Sequence, residues 1–287
     1  MIRHLVRLLA LATLAVGCSK PPATTTPTTA NAEPQTPAAD ALPTAEDVLA
    51  QSVEAAGGKD AHDKLASYYS ESRMEIPSQG LSADSKLWWE QGKFYMEVAM
   101  PGVGLTRVWY DGTTVTSDDP VNGRRTLEGK ESTQTRWAAS VSLAHDWKTY
   151  FTEASTVGRR EVDGKQLVDV KLTGADDSEV VLSFDEGTHM LASQQFSQQS
   201  PMGAMPVEIA VVEYKPYAGV QHAARTEMRV AIFTATTTVT KFDANIDIDD
   251  TKFTPTAPQP PKPEPAPADP KGSKPKKTKA SKAKADG

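Results

Sequence analysis

The sequence predicts a mainly β protein, built as one curved antiparallel sheet, or half-barrel, whose concave face is closed by a few helices. Three observations carry this. From residue 73 onwards apolar residues recur with a period of two, the spacing of a strand with one buried face. Turn signals separate the runs: Gln91-Gly92, Asp111-Gly112, Asn122-Gly123, Asp163-Gly164, Glu186-Gly187 and Ala218-Gly219. Only three stretches have helical character, too few to build a helical protein but enough to cover one side of a sheet.

The elements follow in order. Thr44 with Asp47 three positions on resembles a capping box. Val48, Leu49, Val53 and Ala56 then recur at helical spacing, and Gly57-Gly58 ends the helix. A short second helix is expected through Asp60–Leu65. Met74 and Ile76 alternate with Arg73 and Glu75, and Phe94, Met96, Val98 and Met100 alternate with Tyr95 and Glu97. Residues 128–143 interrupt the pattern: a polar first half, then Trp137, Val141 and Leu143, with no turn signal inside. That stretch reads as one helix leaving the sheet midway. Alternation resumes with Val168, Val170 and Leu172, then Val180, Leu182 and Phe184, then Val207, Ile209 and Val211, then Met228, Val230 and Ile232. The Thr-rich stretch 234–248 is the expected last strand. About ten short strands joined by hairpin-like turns describe a meander.

The chain has 287 residues, one Cys and a formal net charge of −6. That charge is unevenly placed. Residues 1–43 carry +1 and residues 255–287 carry +5, which leaves −12 on residues 44–254. One Cys makes neither an intramolecular disulfide nor a Cys-rich zinc site. The acidic middle disfavours nucleic acid as a partner.

The N-terminus reads as an address. Arg3 and Arg7 precede an apolar run, Leu8 to Val16, that is too short to span a bilayer stably and fits a secretory signal. Leu14-Ala15-Val16-Gly17-Cys18-Ser19 resembles the processing site of a bacterial lipoprotein, with Leu14 one position earlier than that pattern favours. The resemblance implies removal of residues 1–17 and acylation of Cys18, which anchors the mature chain to a membrane of the cell envelope. Ser19, rather than Asp, implies the outer membrane, with the folded domain facing the periplasm. Residues 18–43, rich in Pro, Thr and Ala, form a disordered tether. Residues 255–287, rich in Pro and Lys, form a disordered tail. Its cluster from Lys271 to Lys284 suits an anionic surface, lipid headgroups among them. A solubilising tail without a partner fits the composition as well.

Residues 44–254 are then the folded domain, and here the sequence resembles a known family. The carrying stretches are VLAQSVEAAGGKDAHDKLAS, WYDGTTVTSDDPVNGRRTLEGKE, SPMGAMPVEI and IDIDDTKFTPT. They are similar to the bacterial outer-membrane lipoprotein-sorting proteins, whose fold is like that of the carrier LolA and its receptor LolB. The resemblance implies a half-barrel of about eleven strands with a helical lid and a cavity for acyl chains or lipoprotein lipid. No residue constellation points to an enzyme, and no cofactor is expected. Candidate cavity residues are Met74, Ile76, Phe94, Met96, Val98, Met100, Val170, Leu172, Leu182 and Phe184. Methionine suits a surface that accepts varied apolar shapes, yet periodicity does not distinguish a hollow interior from a dry core. Both readings stand at this point: a lipid carrier or receptor, or a scaffold or sensor of the same fold.

Two apolar loops are candidates for lipid contact. Met100-Pro101-Gly102-Val103-Gly104-Leu105 offers Val103 and Leu105, the kind of protruding loop that LolB-like receptors use. The second offers Met202 and Met205 between Pro201 and Pro206. Either loop can instead fold back as a tight turn.

Catalytic patterns fail. There is no Gly-x-Ser-x-Gly elbow, no His-Glu-x-x-His and no phosphate loop. His62, His145, His189 and His222 lack metal-ligand spacing. Asp243-x-Asn245-x-Asp247 starts like a calcium loop but has Ile248 where Gly is needed and Thr254 where Glu is needed. Asp247-Ile248-Asp249-Asp250 therefore reads as a solvated strand end. Trp88 and Trp89 must face opposite sides of one strand. Trp109, near a turn, is expected at a cavity rim.

Overall fold

The structure is a computed structural model, and it describes residues 41–201 and 203–256. The chain divides into Met1–Ala41 and Leu42–Gly287, and the fold is that of the second unit. Cys18, the tether before residue 41, Met202 and the Lys-rich tail lie outside the described residues.

Two helices lead in, α1 (Ala45–Ala55) and α2 (Lys59–Lys64). Six strands follow: β1 (Ser67–Ile76), β2 (Leu81–Glu90), β3 (Lys93–Met100), β4 (Gly104–Tyr110), β5 (Val115–Asp119) and β6 (Gly123–Leu127). Two more helices, α3 (Gly129–Ala138) and α4 (Leu143–Tyr150), cross to the second half. There β7 (Glu153–Val162), β8 (Lys165–Thr173), β9 (Glu179–Asp185), β10 (Leu191–Ser200), β11 (Gly203–Tyr217), β12 (Val220–Val230) and β13 (Phe233–Ala244) complete the sheet. All strands join one 13-stranded antiparallel sheet in the order β6-β5-β4-β3-β2-β1-β13-β12-β11-β10-β9-β8-β7. The sheet is curved and unclosed. Its two edges, β6 and β7, are the strands on either side of the α3–α4 crossing, so the helices bridge the gap that the sheet leaves open.

The capping reading of Thr44 holds: its Oγ accepts the Asp47 backbone N–H at 3.2 Å and donates to the Asp47 carboxylate at 2.7 Å. Four sequence expectations are corrected. Thirteen strands form rather than ten or eleven. The expected single helix over 128–143 is two helices, because Ser142 accepts the His145 N–H at 3.3 Å and starts α4 afresh. The last strand stops at Ala244, where Asn245 takes a left-handed φ of 53° and turns the chain. Residues 247–250 are consequently not a strand end: Asp249 caps a 3₁₀ turn, Asp250–Phe253, through the Thr251 N–H at 2.9 Å.

The register sets two aromatic rows back to back. On the concave face Tyr68, Trp89, Phe94 and Tyr110 stand directly opposite one another across β1–β4. On the convex face Tyr69, Trp88, Tyr95 and Trp109 do the same, with successive ring centroids 4.8, 5.4 and 5.2 Å apart. Trp88 and Trp89 thus face opposite sides, as expected. Trp109 is not at a cavity rim. It lies on the convex face, 2% exposed, under the 245–253 segment, whose Phe253 and Ile248 pack with Tyr95 and Trp88. Beside the convex row runs a ladder of alternating charge, Lys241, Glu71, Lys86, Glu97, Arg107, Asp118 and Arg124, each opposite the next. Such opposite pairs are worth about 0.2–1 kcal/mol each. A one-residue slip would carry the rings and the charges to the wrong faces.

The core is concentrated at one side. Val48 and Leu49 of α1, Trp137 of α3 and Leu143 of α4 pack on Val168, Val170, Leu172, Val180, Leu182 and Phe184 of β8 and β9. A smaller cluster joins Phe94, Val108, Val115 and Leu127.

Candidate functional site

The antiparallel order places six hairpin turns, β1–β2, β3–β4, β5–β6, β8–β9, β10–β11 and β12–β13, at one end of the sheet, the tip end. The aromatic rows lie toward the other end. Strand register places all ten candidate cavity residues on the concave face. Their surroundings differ. Val170, Leu172, Leu182 and Phe184 are at most 2% exposed, sealed beneath α1, α3 and α4 in the packed core. Phe94 and Ile76 are also buried. Met74, Met96, Val98 and Met100 remain half-exposed on the trough wall. The trough is amphipathic rather than oily: Ser72 and Ser85 share a 3.1 Å hydroxyl contact beside Val98, and Thr237 stands opposite Met74.

A groove of about 790 Å³ lies at the tip end, between α3 and strands β9–β12. Val180, Phe196, Val207 and Val230 give it an apolar floor, with Lys130, Glu208 and Arg229 among the polar lining. The sequence reading named none of these as site residues. Phe196 hides in a Gln- and Ser-rich run, while Val180, Val207 and Val230 lay in strands already recognised. Gln134 of α3, 3% exposed, ties this wall together: its amide donates to Ser197 O at 2.6 Å and accepts the Gln199 N–H at 2.8 Å, so a helix side chain stands in for a neighbouring strand.

A smaller, more enclosed cavity of about 170 Å³ lies deeper under the α3–α4 joint. At about 30 Å³ per water it holds roughly six non-hydrogen atoms, far short of a long acyl chain. It adjoins the groove along three strands. Val180, Phe196 and Val207 line the groove, and the next concave residues on the same strands, Leu182, Gln194 and Ile209, line the inner cavity.

A third cavity of about 180 Å³ flanks the other side of the α3–α4 joint and holds His62 and His145. Their rings stack with centroids 5.0 Å apart. His145 Nδ1 lies 2.6 Å from an Asp146 oxygen and Nε2 lies 3.2 Å from Asp63. His62 Nδ1 faces Gly58 O at 2.9 Å, and burial above all holds its pKa below the usual histidine value. The cluster staples α2 to α4. Among the described residues no group of three or more His, Cys, Asp or Glu is placed to hold a metal ion.

The tip end exposes apolar side chains. Val103 is 51% exposed, Val121 80%, Ile232 72% and Met205 37%. Leu105 is half-buried. The β3–β4 and β5–β6 tips touch: a β-carbon on Gly104 would stand 2.6 Å from Pro120 Cγ. Val121 escaped the sequence reading because it is a lone apolar residue inside a turn, whereas Ile232, expected to continue the strand of Met228 and Val230, lies in the β12–β13 turn after β12 ends at Val230.

No family model matches the chain, and no curated protein sequence does. Solved structures do. A LolA superfamily protein from Nitrosomonas europaea superposes with a TM-score of 0.52 at 15% identity, over 74% of this chain and 98% of that one. The domain has a LolA-like fold. A DUF1329 family protein from Desulfovibrio piger shares it, with a TM-score of 0.51 at 12% identity over 73% of this chain and 96% of that one. The LolA-like domain is therefore of ordinary extent, its helices set across the mouth of the sheet. What differs along its concave face is how fully each part is filled.

Proposed function

We propose that this chain is a lipid-anchored protein of the bacterial cell envelope, held at the outer membrane through Cys18 with its LolA-like domain in the periplasm. There the domain binds an acyl chain, from a lipid or an acylated protein, and assists lipoprotein sorting or transport. The observation that carries this is the uneven filling of the concave face. One side is a dry core, while the tip end keeps an apolar groove of about 790 Å³, within the range of ligand-binding clefts. The exposed tips Val103, Val121, Met205 and Ile232 surround that end and suit contact with a lipid surface. An acylated Cys18 makes the protein a local receptor rather than a free shuttle, since its tether reaches only about 5–6 Å × √n for n flexible residues.

A scaffold or sensor role is favoured by a different observation: Val170, Leu172 and Leu182 are wholly buried, so the helical side of the sheet is a packed core rather than a cavity. One experiment separates the two. The full chain carrying Cys18→Ser is purified without detergent and examined by native mass spectrometry, then tested for uptake of a fluorescent fatty acid. Carriage predicts co-purifying lipid mass and saturable uptake. A bare protein that takes up no probe leaves the scaffold reading standing and removes the carrier.

A further inference from the structure

After β13 the chain crosses the convex face toward the tips. Asp250 pairs with Lys93, the first residue of β3, at 2.7 Å, at the end opposite the tips. Phe253 packs on Tyr95 and Trp109. The Thr256 carbonyl oxygen, on the last described residue, accepts from Arg124 Nη1 at 2.5 Å. Arg124 is the second residue of β6, just after the β5–β6 turn that carries the 80% exposed Val121. The Lys-rich tail therefore leaves the domain beside the exposed tips. From residue 256 to residue 271 is 15 residues, and a chain of that length reaches on the order of 20 Å without being stretched. Between Lys271 and Lys284 stand seven Lys and no acidic residue.

The tips themselves carry little charge, although residues 44–254 sum to −12. Residues 77–80, 101–103, 120–122, 201–202 and 231–232, which join the strands of five tip hairpins, include no Asp, Glu, Lys or Arg. The β8–β9 turn differs, with Asp176 and Asp177, and Lys130 of α3 donates to the Asp177 carbonyl at 2.8 Å. At the opposite end Asp111, Asp163 and Glu186 stand in the turns. An anionic surface repels carboxylates, and an apolar one excludes them. The uncharged rim is thus the end of this acidic domain best suited to approach a surface that is both. Acidic groups near the tail's exit are already engaged: Asp118 with Arg124, Glu131 with Arg125, and Asp119 with the Val121 and Asn122 N–H groups. The basic cluster finds its complement outside the domain.

We infer that the tips and the Lys-rich tail form one docking surface for an anionic lipid bilayer, which holds the domain tip-end down. Val103, Val121 and Ile232 enter the interface, and the tail lies along the headgroups. This rests on the lipid-contact reading of the tips given above and adds the tail, the sign of the surface and the orientation. Each basic residue near such a surface raises partitioning by about fivefold. Apolar contact and charge attraction reinforce one another at an interface, and the second contact is intramolecular once the first is made, so the two multiply. The groove of about 790 Å³ lies at the same end, so docking brings it to the lipid.

The test floats the full chain carrying Cys18→Ser with vesicles of phosphatidylcholine containing phosphatidylglycerol, and with phosphatidylcholine alone. One variant adds Val103→Asp with Ile232→Asp, and a second changes the seven Lys between 271 and 284 to Gln. On the anionic vesicles the tip changes should lower binding several-fold and the tail changes about tenfold or more, each with the other contact intact. Salt raised from about 0.1 M to about 1 M should remove the tail's share. Cys18→Ser leaves the chain without cysteine, so an environment-sensitive dye on Val121→Cys or on Thr188→Cys, in a turn at the opposite end, reports orientation. The dye should shift to the blue on anionic vesicles at Val121→Cys only, and lose that shift when the tail is neutralised. Binding that responds to only one set of changes overturns the joint surface, as does a dye that shifts at both ends or at neither. A tail folded on its own domain leaves flotation unchanged or improved by its neutralisation, which also overturns it. Fatty-acid uptake that persists in a chain failing this test leaves the carrier reading intact.

Discussion

Gly57 lies against the backbone of Gly219 so closely that a β-carbon on Gly57 would stand 2.1 Å from the Gly219 carbonyl oxygen. The contact docks the end of α1 on the β11–β12 turn, where the Gln221 N–H also donates to Ala56 O at 2.8 Å. Gly57 itself sits at φ 121°, which side chains rarely adopt. Gly57→Ala is therefore expected to cost about 2–3 kcal/mol by strain and displacement together. Urea unfolding should show a lower midpoint with an unchanged slope. A loss below about 0.5 kcal/mol would mean that α1 is not held there.

The uneven core makes a paired prediction. Leu182→Ala, at a wholly buried site, should cost about 2–5 kcal/mol. Val230→Ser, on the half-exposed groove floor, should cost under about 1 kcal/mol yet lower fatty-acid uptake several-fold. Thermal melts and probe titrations on both variants measure the contrast. Uptake that survives Val230→Ser would move the ligand out of the groove.

Stability should fall on the acid side. Burial sets His62 below its ordinary 6.5 and His222 down to about 4. Lower pKa values in the folded state mean that the unfolded chain takes up protons first. Stability is thus complete above about pH 6.5 and is lost as pH falls toward 4, with His222 contributing up to about 3 kcal/mol of that loss. Asp111 and Asp119 are held below 3.8 and act only at lower pH. Urea midpoints at pH 7.5, 5.5 and 4.5 give the slope, and His222→Phe should flatten it. The same slope in that variant would assign the loss elsewhere.

The exposed tips carry the membrane prediction. Val103→Asp with Ile232→Asp places charge at two turns that are 51% and 72% exposed, so folding should be unaffected to within about 0.5 kcal/mol. Leu105 is a poorer target because it is half-buried. Flotation with anionic liposomes should fall several-fold for a Cys18→Ser chain with both changes. Undiminished flotation would show that this end does not meet lipid.

Much of the fold was legible because one face of most strands is buried. Phe94 to Met100 and Val168 to Leu172 announce themselves by alternation, and the register confirms a common face. Among the strands that no apolar run marked, two stayed silent for clear physical reasons. β7 is an edge strand, so its Val157 and Val162 face solvent and no apolar set marks its inner side. β10 reads as Gln and Ser because its concave side meets Gln134 of α3 through its backbone. The site was less legible than the fold. The ten candidate residues share a face, but which are sealed depends on where α1, α3 and α4 settle. The groove residues Phe196, Val207 and Val230 come together only through strand order. Asn245 held the missed signal for the end of β13, since it is one of the residues that tolerates a left-handed turn.

Strand order also sets a schedule for assembly. Of the strand pairs in the sheet, all but one join neighbours in sequence, and the exception is β1 with β13. Each hairpin can close as soon as both of its strands are free to fold. The seam between first and last strand waits for residue 244, across the longest loop in the domain, and long-range closure is the slow kind. Until then a nascent chain carries β1 with one bare edge. Tyr68, whose ring stacks on Trp89 on one side and on Phe242 of the last strand on the other, at 5.3 and 4.8 Å, is the place where a half-made molecule and a finished one differ most.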